Sequence, residues 1–224
     1  MSYRKFNTYA TWDRAPFFAL AKKYAEGKQT AVDIGPGDDG FARHLGRTDI
    51  HLLEGNPASY EQLKTHYPNA RLYRAPDALP FADSTVDFIH LSHVVEHLEN
   101  EPLYALLKEL DRVCAPNGII AISAPLAHPD FYNDLSHVRP YNPAVFLKYL
   151  VNGDATCVTR PLISTRYKKE ELVFRHTPTE LFPLRAFNNR VMRFCAYACR
   201  ALAIKLGYRV YERTGFTLIL KKTL

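Results

Sequence analysis

Glycine is scarce in this chain, 10 of 224 residues, which excludes collagen-like repeats and glycine-rich linkers. Cysteine is scarcer still, with four residues at positions 114, 157, 195 and 199. None forms a C-x-x-C pair, so neither a zinc ribbon nor a disulfide scaffold is expected, and reduced core thiols are. No uncharged apolar run reaches about 18 residues, so no transmembrane helix is expected. The first eight residues lack the apolar core of a signal peptide, and a cytoplasmic location is the expectation. Disorder is excluded by 47% hydrophobic against 23% charged residues. A chain of this length buries a sufficient core without staples and reads as one domain with a large appendage.

Charge is unevenly distributed. Residues 1–150 carry 15 Lys and Arg against 18 Asp and Glu, whereas residues 151–224 carry 14 against 5. A near-neutral body would hold a site, and a basic tail would meet something anionic.

The body alternates strand and helix patterns. Residues 30–34, 50–54, 70–74, 86–91 and 118–123 are short apolar β-type runs. Residues 40–45, 59–66 and 103–114 have helical spacing. Residues 154–165 and 216–221 supply two further strands, for seven in all. Nearly continuous apolar strands separated by helices predict an α/β fold, a doubly wound, mostly parallel, Rossmann-like sheet covered on both faces. Ligands then bind beyond the carboxyl ends of the strands, beside the first.

The loop after the first strand reads Gly35-Pro36-Gly37-Asp38-Asp39-Gly40. This is G-x-G-x-x-G between a strand and a helix, where glycine lets a ligand approach the backbone. Nicotinamide, flavin and S-adenosylmethionine sites share the pattern. Asp33, Asp38 and Asp39 surround it. They would repel a pyrophosphate and attract the ammonium and sulfonium of S-adenosylmethionine, so the coulombic argument favours that cofactor. Glu54 ends the second strand, 19 residues after Gly35, where an acid accepts both ribose hydroxyls.

The set Ala31-Val32-Asp33-Ile34-Gly35-Pro36-Gly37, Leu53-Glu54, Leu79-Pro80-Phe81 and Ser92-His93-Val94-Val95-Glu96-His97-Leu98 resembles class I S-adenosylmethionine-dependent methyltransferases of the type 11 group. Residues 136–143 are similar to members that modify sugars and polysaccharides. The resemblance covers residues 28–150. It implies that Asp33, Gly35 and Gly37 line the methionine part of the cofactor and that Glu54 holds the ribose. It also implies that Asp77, Ala78 and Leu79 lie along the adenine, and that Ser92 and His93 border the transferred methyl. The family usually has an acid four residues before the Leu79 position; here that residue is Ala75.

Methyl transfer to a hydroxyl benefits from a general base, and histidine suits neutral pH. His93, His137 and His128 are the candidates, with His97 behind them. Residues 93–97 also spell H-x-x-E-H, the inverted zinc-peptidase signature. No third ligand stands out in the sequence, so no metal is expected, and His97 reads as a packing or capping residue.

The expected organisation is a helical cap over residues 1–29, a cofactor-binding core over 30–166, a basic helical insertion over 167–207 and a closing strand in 208–224. Within the insertion, residues 187–206 read as a helix with Arg190, Arg193 and Arg200 on one stripe and Val191, Phe194 and Leu202 on an apolar face. Three readings stand: packing on its own domain, peripheral contact with an anionic inner membrane face, or nucleic acid, the last weakened by the lack of an RNA-binding module. The expected activity is methyl transfer to oxygen of a small-molecule or glycan acceptor, including a lipid-linked sugar. The rivals are an NAD(P)-dependent oxidoreductase, an RNA methyltransferase using the basic tail, and a cofactor-binding protein without turnover.

Overall fold

The apolar runs pair into a single sheet in the computed structural model, which describes residues 8–152, 159–179 and 188–224. The strands are β1 (Thr8–Ala10), β2 (Ala31–Ile34), β3 (His51–Glu54), β4 (Ala70–Leu72), β5 (Val86–Ser92), β6 (Cys114–Pro125), β7 (Tyr167–Thr179) and β8 (Val210–Lys222). Their order is β1-β7-β8-β6-β5-β2-β3-β4. Only β8 runs antiparallel to its neighbours, β6 and β7. The strand order reverses at β2, the position that leaves a crevice at the strand ends.

Helices α1 (Ala15–Ala25), α2 (Gly40–Leu45), α3 (Pro57–Leu63), α4 (Asn100–Val113), α5 (Pro143–Leu147) and α6 (Arg190–Lys205) complete the fold. Local sequence explains their ends. The Asn56 side chain accepts the Ala58 amide at 2.9 Å and Pro57 opens α3; Asn142 and Pro143 repeat the device at α5. In α4, Leu103, Leu106, Leu107 and Leu110 fall at three- and four-residue steps and are buried. Each such leucine stabilises the fold by about 1.5–3 kcal/mol. Val32 and Ile34 project into one face of the sheet with these leucines. Ala31 faces the other, with Phe17, Phe41 and Phe88.

Three details differ from the sequence reading. The N-terminal segment is a strand followed by a helix: Thr8–Ala10 pairs in parallel with β7 and adds an eighth, edge strand. The next strand after β6 is Tyr167–Thr179, and 159–165 is not a strand; residues 154–158 lie outside the described residues. Lys168, Lys169 and Glu170 sit on the exposed start of β7, and this charged run hid the strand inside the expected insertion. Finally, Cys195 and Cys199 are exposed on α6, and only Cys114 behaves as the expected core thiol; Cys157 lies outside the described residues. No helix among the described residues is long and apolar enough to cross a membrane.

Candidate active site

The loop after β2 crosses the carboxyl edge of the sheet with Gly35 at φ 68° and Gly37 at φ 59°, a conformation costly for any residue with a Cβ. At Gly35 a Cβ would also stand 2.5 Å from Val94 Cγ2, so the turn packs against the segment that follows β5. The Gly35 amide donates to Leu53 O at 2.9 Å. The Gly37 amide donates to Glu54 Oε2 at 3.0 Å and the Asn56 amide to Glu54 Oε1 at 2.7 Å. Each carboxylate oxygen thus takes one backbone donor and keeps a second lone pair.

Between these strand ends lies a cleft of about 420 Å³ lined by Gly35, Gly37, Glu54, Tyr73, Ala75 and His93. The volume suits a small-molecule ligand. A ribose diol fits the lone pairs left on Glu54, and the bare backbone at Gly37, with nothing within 4 Å of where a Cβ would be, leaves room for a chain passing over the loop.

Not every residue expected at the cofactor reaches this cleft. Asp33 points to the opposite face of the sheet, 2% exposed, with Oδ1 2.7 Å from His90 Nδ1. Alternation along β2 dictates this, because its neighbours Val32 and Ile34 occupy the other face. Asp39 accepts from Tyr67 Oη and pairs with Arg43 at 2.9 Å; Asp38 lies 3.7 Å from the same Arg43. Asp33 is thus turned away from the cleft and Asp38 and Asp39 share Arg43, so Glu54 is the acid on the cleft wall. Asp77 and Ala78 are exposed, and Leu79 is buried with its amide bonded to Glu109. Tyr73, Arg74 and Ala75 line that edge of the cleft instead. Burial raises the Tyr73 hydroxyl pKa, and that hydroxyl donates to Asp77 O.

Ser92 and His93 stand together at the end of β5. His93 has φ 59°, and its amide donates to Ser123 O at 2.9 Å. Its Nδ1 lies 2.9 Å from Oε1 of the fully buried Glu96. Burial pushes the His93 imidazole below its ordinary pKa, against the opposing pull of Glu96. His93 also borders a narrow cavity on the other side of the strand ends, with Arg14, Phe18, Ser92, Ser123 and Arg175. Arg175 is pushed below its ordinary pKa by burial and then by the like charge of Arg14. Its Nε is buried with no hydrogen-bond partner among the described residues. Arg175 continues into a cavity of about 150 Å³ that holds His128, Trp12 and Glu212.

The histidines are thus separated. His93 faces the cleft, and His128 sits beyond Arg175. His137 packs beside His97, with ring centroids 5.1 Å apart. Arg14 and Arg175 were missed in the sequence because they lie on the N-terminal segment and on the disguised strand β7.

The comparisons agree with this architecture. Residues 32–122 match the family profile of a methyltransferase domain. An uncharacterized methyltransferase of Mycobacterium sp. (strain JLS) is 30% identical over 112 residues, covering 49% of this chain and 44% of that protein. The chain therefore aligns with less than half the length of that relative. Among solved structures, a SAM-dependent methyltransferase from Archaeoglobus fulgidus superposes with a TM-score of 0.62 at 21% identity, over 94% of this chain and 95% of that one. A SAM-dependent methyltransferase from Methanosarcina mazei gives 0.55 at 13% identity over 92% and 97%. The [4+2]-cyclase SpnF gives 0.58 at 11% identity over 96% and 83%. At these identities the structures establish the fold, and the last shows that one fold serves different chemistries.

Proposed function

We propose that this chain, whose residues 32–122 match the profile of a methyltransferase domain, transfers a methyl group from S-adenosylmethionine to oxygen of an acid-bearing small-molecule or glycan acceptor. The observation that carries this reading is that His93 belongs to two walls at once. One is the cleft with Glu54, and the other is the cavity with Arg14 and Arg175. The reacting atoms of donor and acceptor need such a junction for an in-line displacement.

The bound cofactor supplies an electrophilic methyl on a sulfonium. This chain supplies the rest. Glu54 accepts the ribose hydroxyls, and the glycine loop lets the donor lie against backbone. Arg14 and Arg175, which border the cavity beside His93, supply the positive charge that draws in an acceptor carboxylate or phosphate. His93, with Nδ1 turned to Glu96, carries a lone pair on Nε2 that takes the acceptor hydroxyl proton. His137 and His128 do not share this position.

Calorimetry with S-adenosylmethionine, S-adenosylhomocysteine and NAD, followed by a screen of uronic acids, sugar phosphates and their neutral parents, tests the reading. Micromolar binding of the first two and turnover of the acidic acceptors are expected. Binding of NAD alone would replace it with the oxidoreductase reading.

The helix α6 adds a peripheral location. None of its 16 residues is fully buried against the described residues, and Val191, Phe194 and Leu202 are apolar and 58–71% exposed. Apolar residues beside Arg190 and Arg193 suit an anionic lipid surface. Vesicles with and without anionic lipid test this. Retention on neutral vesicles would reject it, and retention by an RNA oligonucleotide alone would favour an RNA acceptor.

A further inference from the structure

Three side chains next to this junction converge, and of these only Glu96 enters the proposed transfer, through its contact with His93. Glu96 and His97 lie on the single helical turn Val95–His97. His137 comes from 40 residues further along, brought over by its neighbours: the Val138 and Arg139 amides donate to Glu96 O at 2.8 and 3.2 Å. One ligand-type atom from each of the three lies within 4.8 Å of the others.

Their hydrogen bonds are those of metal ligands. His97 Nδ1 lies 2.9 Å from Ser136 O, and His137 Nδ1 lies 2.7 Å from Phe131 O. A carbonyl only accepts, so each Nδ1 carries the proton and each Nε2 carries the lone pair. Backbone carbonyls that fix the tautomer in this way are the usual outer support of ligating histidines. Glu96 is fully buried, and its Oε2 has no hydrogen-bond partner among the described residues. A buried carboxylate oxygen left so is costly unless a cation meets it.

We propose that Glu96, His97 and His137 bind a divalent transition-metal ion. Two imidazoles and one carboxylate suit Mn²⁺, Co²⁺ or Zn²⁺ rather than Mg²⁺ or Ca²⁺, and they leave coordination positions open. His97 is also part of the cofactor-cleft wall, so the ion stands where an open position can take an acceptor oxygen and lower the pKa of its proton. That last role rests on the methyl-transfer reading; binding of the ion does not. The H-x-x-E-H run contributes only its last two members, and the third ligand comes from the loop after β6.

The test is titration of chelator-stripped full-length protein with Co²⁺, followed by visible d–d absorption, and with Mn²⁺ by calorimetry. One ion per chain is expected, with affinity falling at least tenfold in His97→Ala and in His137→Ala and unchanged in His66→Ala. Both ligating histidines are at or near the surface, so these variants fold, and S-adenosylhomocysteine binding by His137→Ala verifies it. No uptake by the wild type, or equal uptake by the variants, overturns the site. Metal uptake without S-adenosylhomocysteine binding would instead sink the cofactor reading and leave the site standing.

Discussion

Asp33 and His90 form a sealed pair beneath the glycine loop, Oδ1 to Nδ1 at 2.7 Å, each at most 2% exposed. His90 stacks on Phe41 at 3.9 Å between centroids, so the pair is walled by aromatics. Removing one partner leaves a buried polar group unmatched, which typically costs about 1–3 kcal/mol. Asp33→Ala is therefore expected to lower the urea midpoint strongly. The folded fraction is expected to keep its affinity for S-adenosylhomocysteine within a few-fold. A large loss of affinity without loss of stability would put Asp33 back in the cofactor site.

Glu54 behaves in the opposite way. In Glu54→Gln an amide NH₂ must face either the Gly37 or the Asn56 amide, donor against donor, and the charge that meets the ribose is gone. Charge-assisted hydrogen bonds contribute about 1.5–3 kcal/mol each, so S-adenosylhomocysteine affinity is expected to fall roughly 100-fold by calorimetry. An affinity within threefold of wild type would remove Glu54 from the site.

Much of this was legible in the sequence, and the reason is periodicity. Helix α2 falls on residues 40–45 as its spacing predicts, and β2, β3 and β5 begin within a residue of their apolar runs, because a parallel strand buried on both faces has few polar positions to confuse it. Gly35, Gly37, Glu54 and His93 line the cleft because each stands at or just past a strand end, whereas Ser92 lies on the other cavity with Arg14 and Arg175. Asp33 does not line the cleft, because its direction depends on strand alternation. Arg175 was hidden by the charges at the start of β7, and the meeting of His137 with Glu96 depends on a loop closure of 41 residues that no local pattern encodes.

His51 makes stability depend on pH. Burial first, then the Arg71 charge, lowers its pKa, with Asp49 opposing. Its Nδ1 is buried without a partner among the described residues, and its ring meets Phe81 edge-on at 5.2 Å. The unfolded chain therefore protonates His51 first as pH falls through about 6.5, so this contribution is full above that pH and is lost below it. Unfolding free energy measured in urea between pH 7.5 and 5.5 is expected to fall, and the slope is expected to be shallower in His51→Gln. An unchanged slope would show that His51 titrates alike in both states.

Gly35 and Gly37 share a left-handed backbone but not their surroundings, and two alanine variants separate the two effects. At Gly37 the added methyl meets open space, so Gly37→Ala bears only the conformational cost, about 1–2 kcal/mol for a residue outside its preferred region. At Gly35 the methyl collides with Val94 Cγ2 on the segment that leads to Glu96. Relief requires Val94 to retreat, which adds the cost of overpacking, typically about 1–3 kcal/mol. Gly35→Ala is expected to be the less stable of the two by that margin in denaturant unfolding. The double variant Gly35→Ala with Val94→Ala is expected to recover most of the difference, since the smaller side chain vacates the colliding position. Equal midpoints for the two single variants would show that the loop and the segment after β5 are not packed as described.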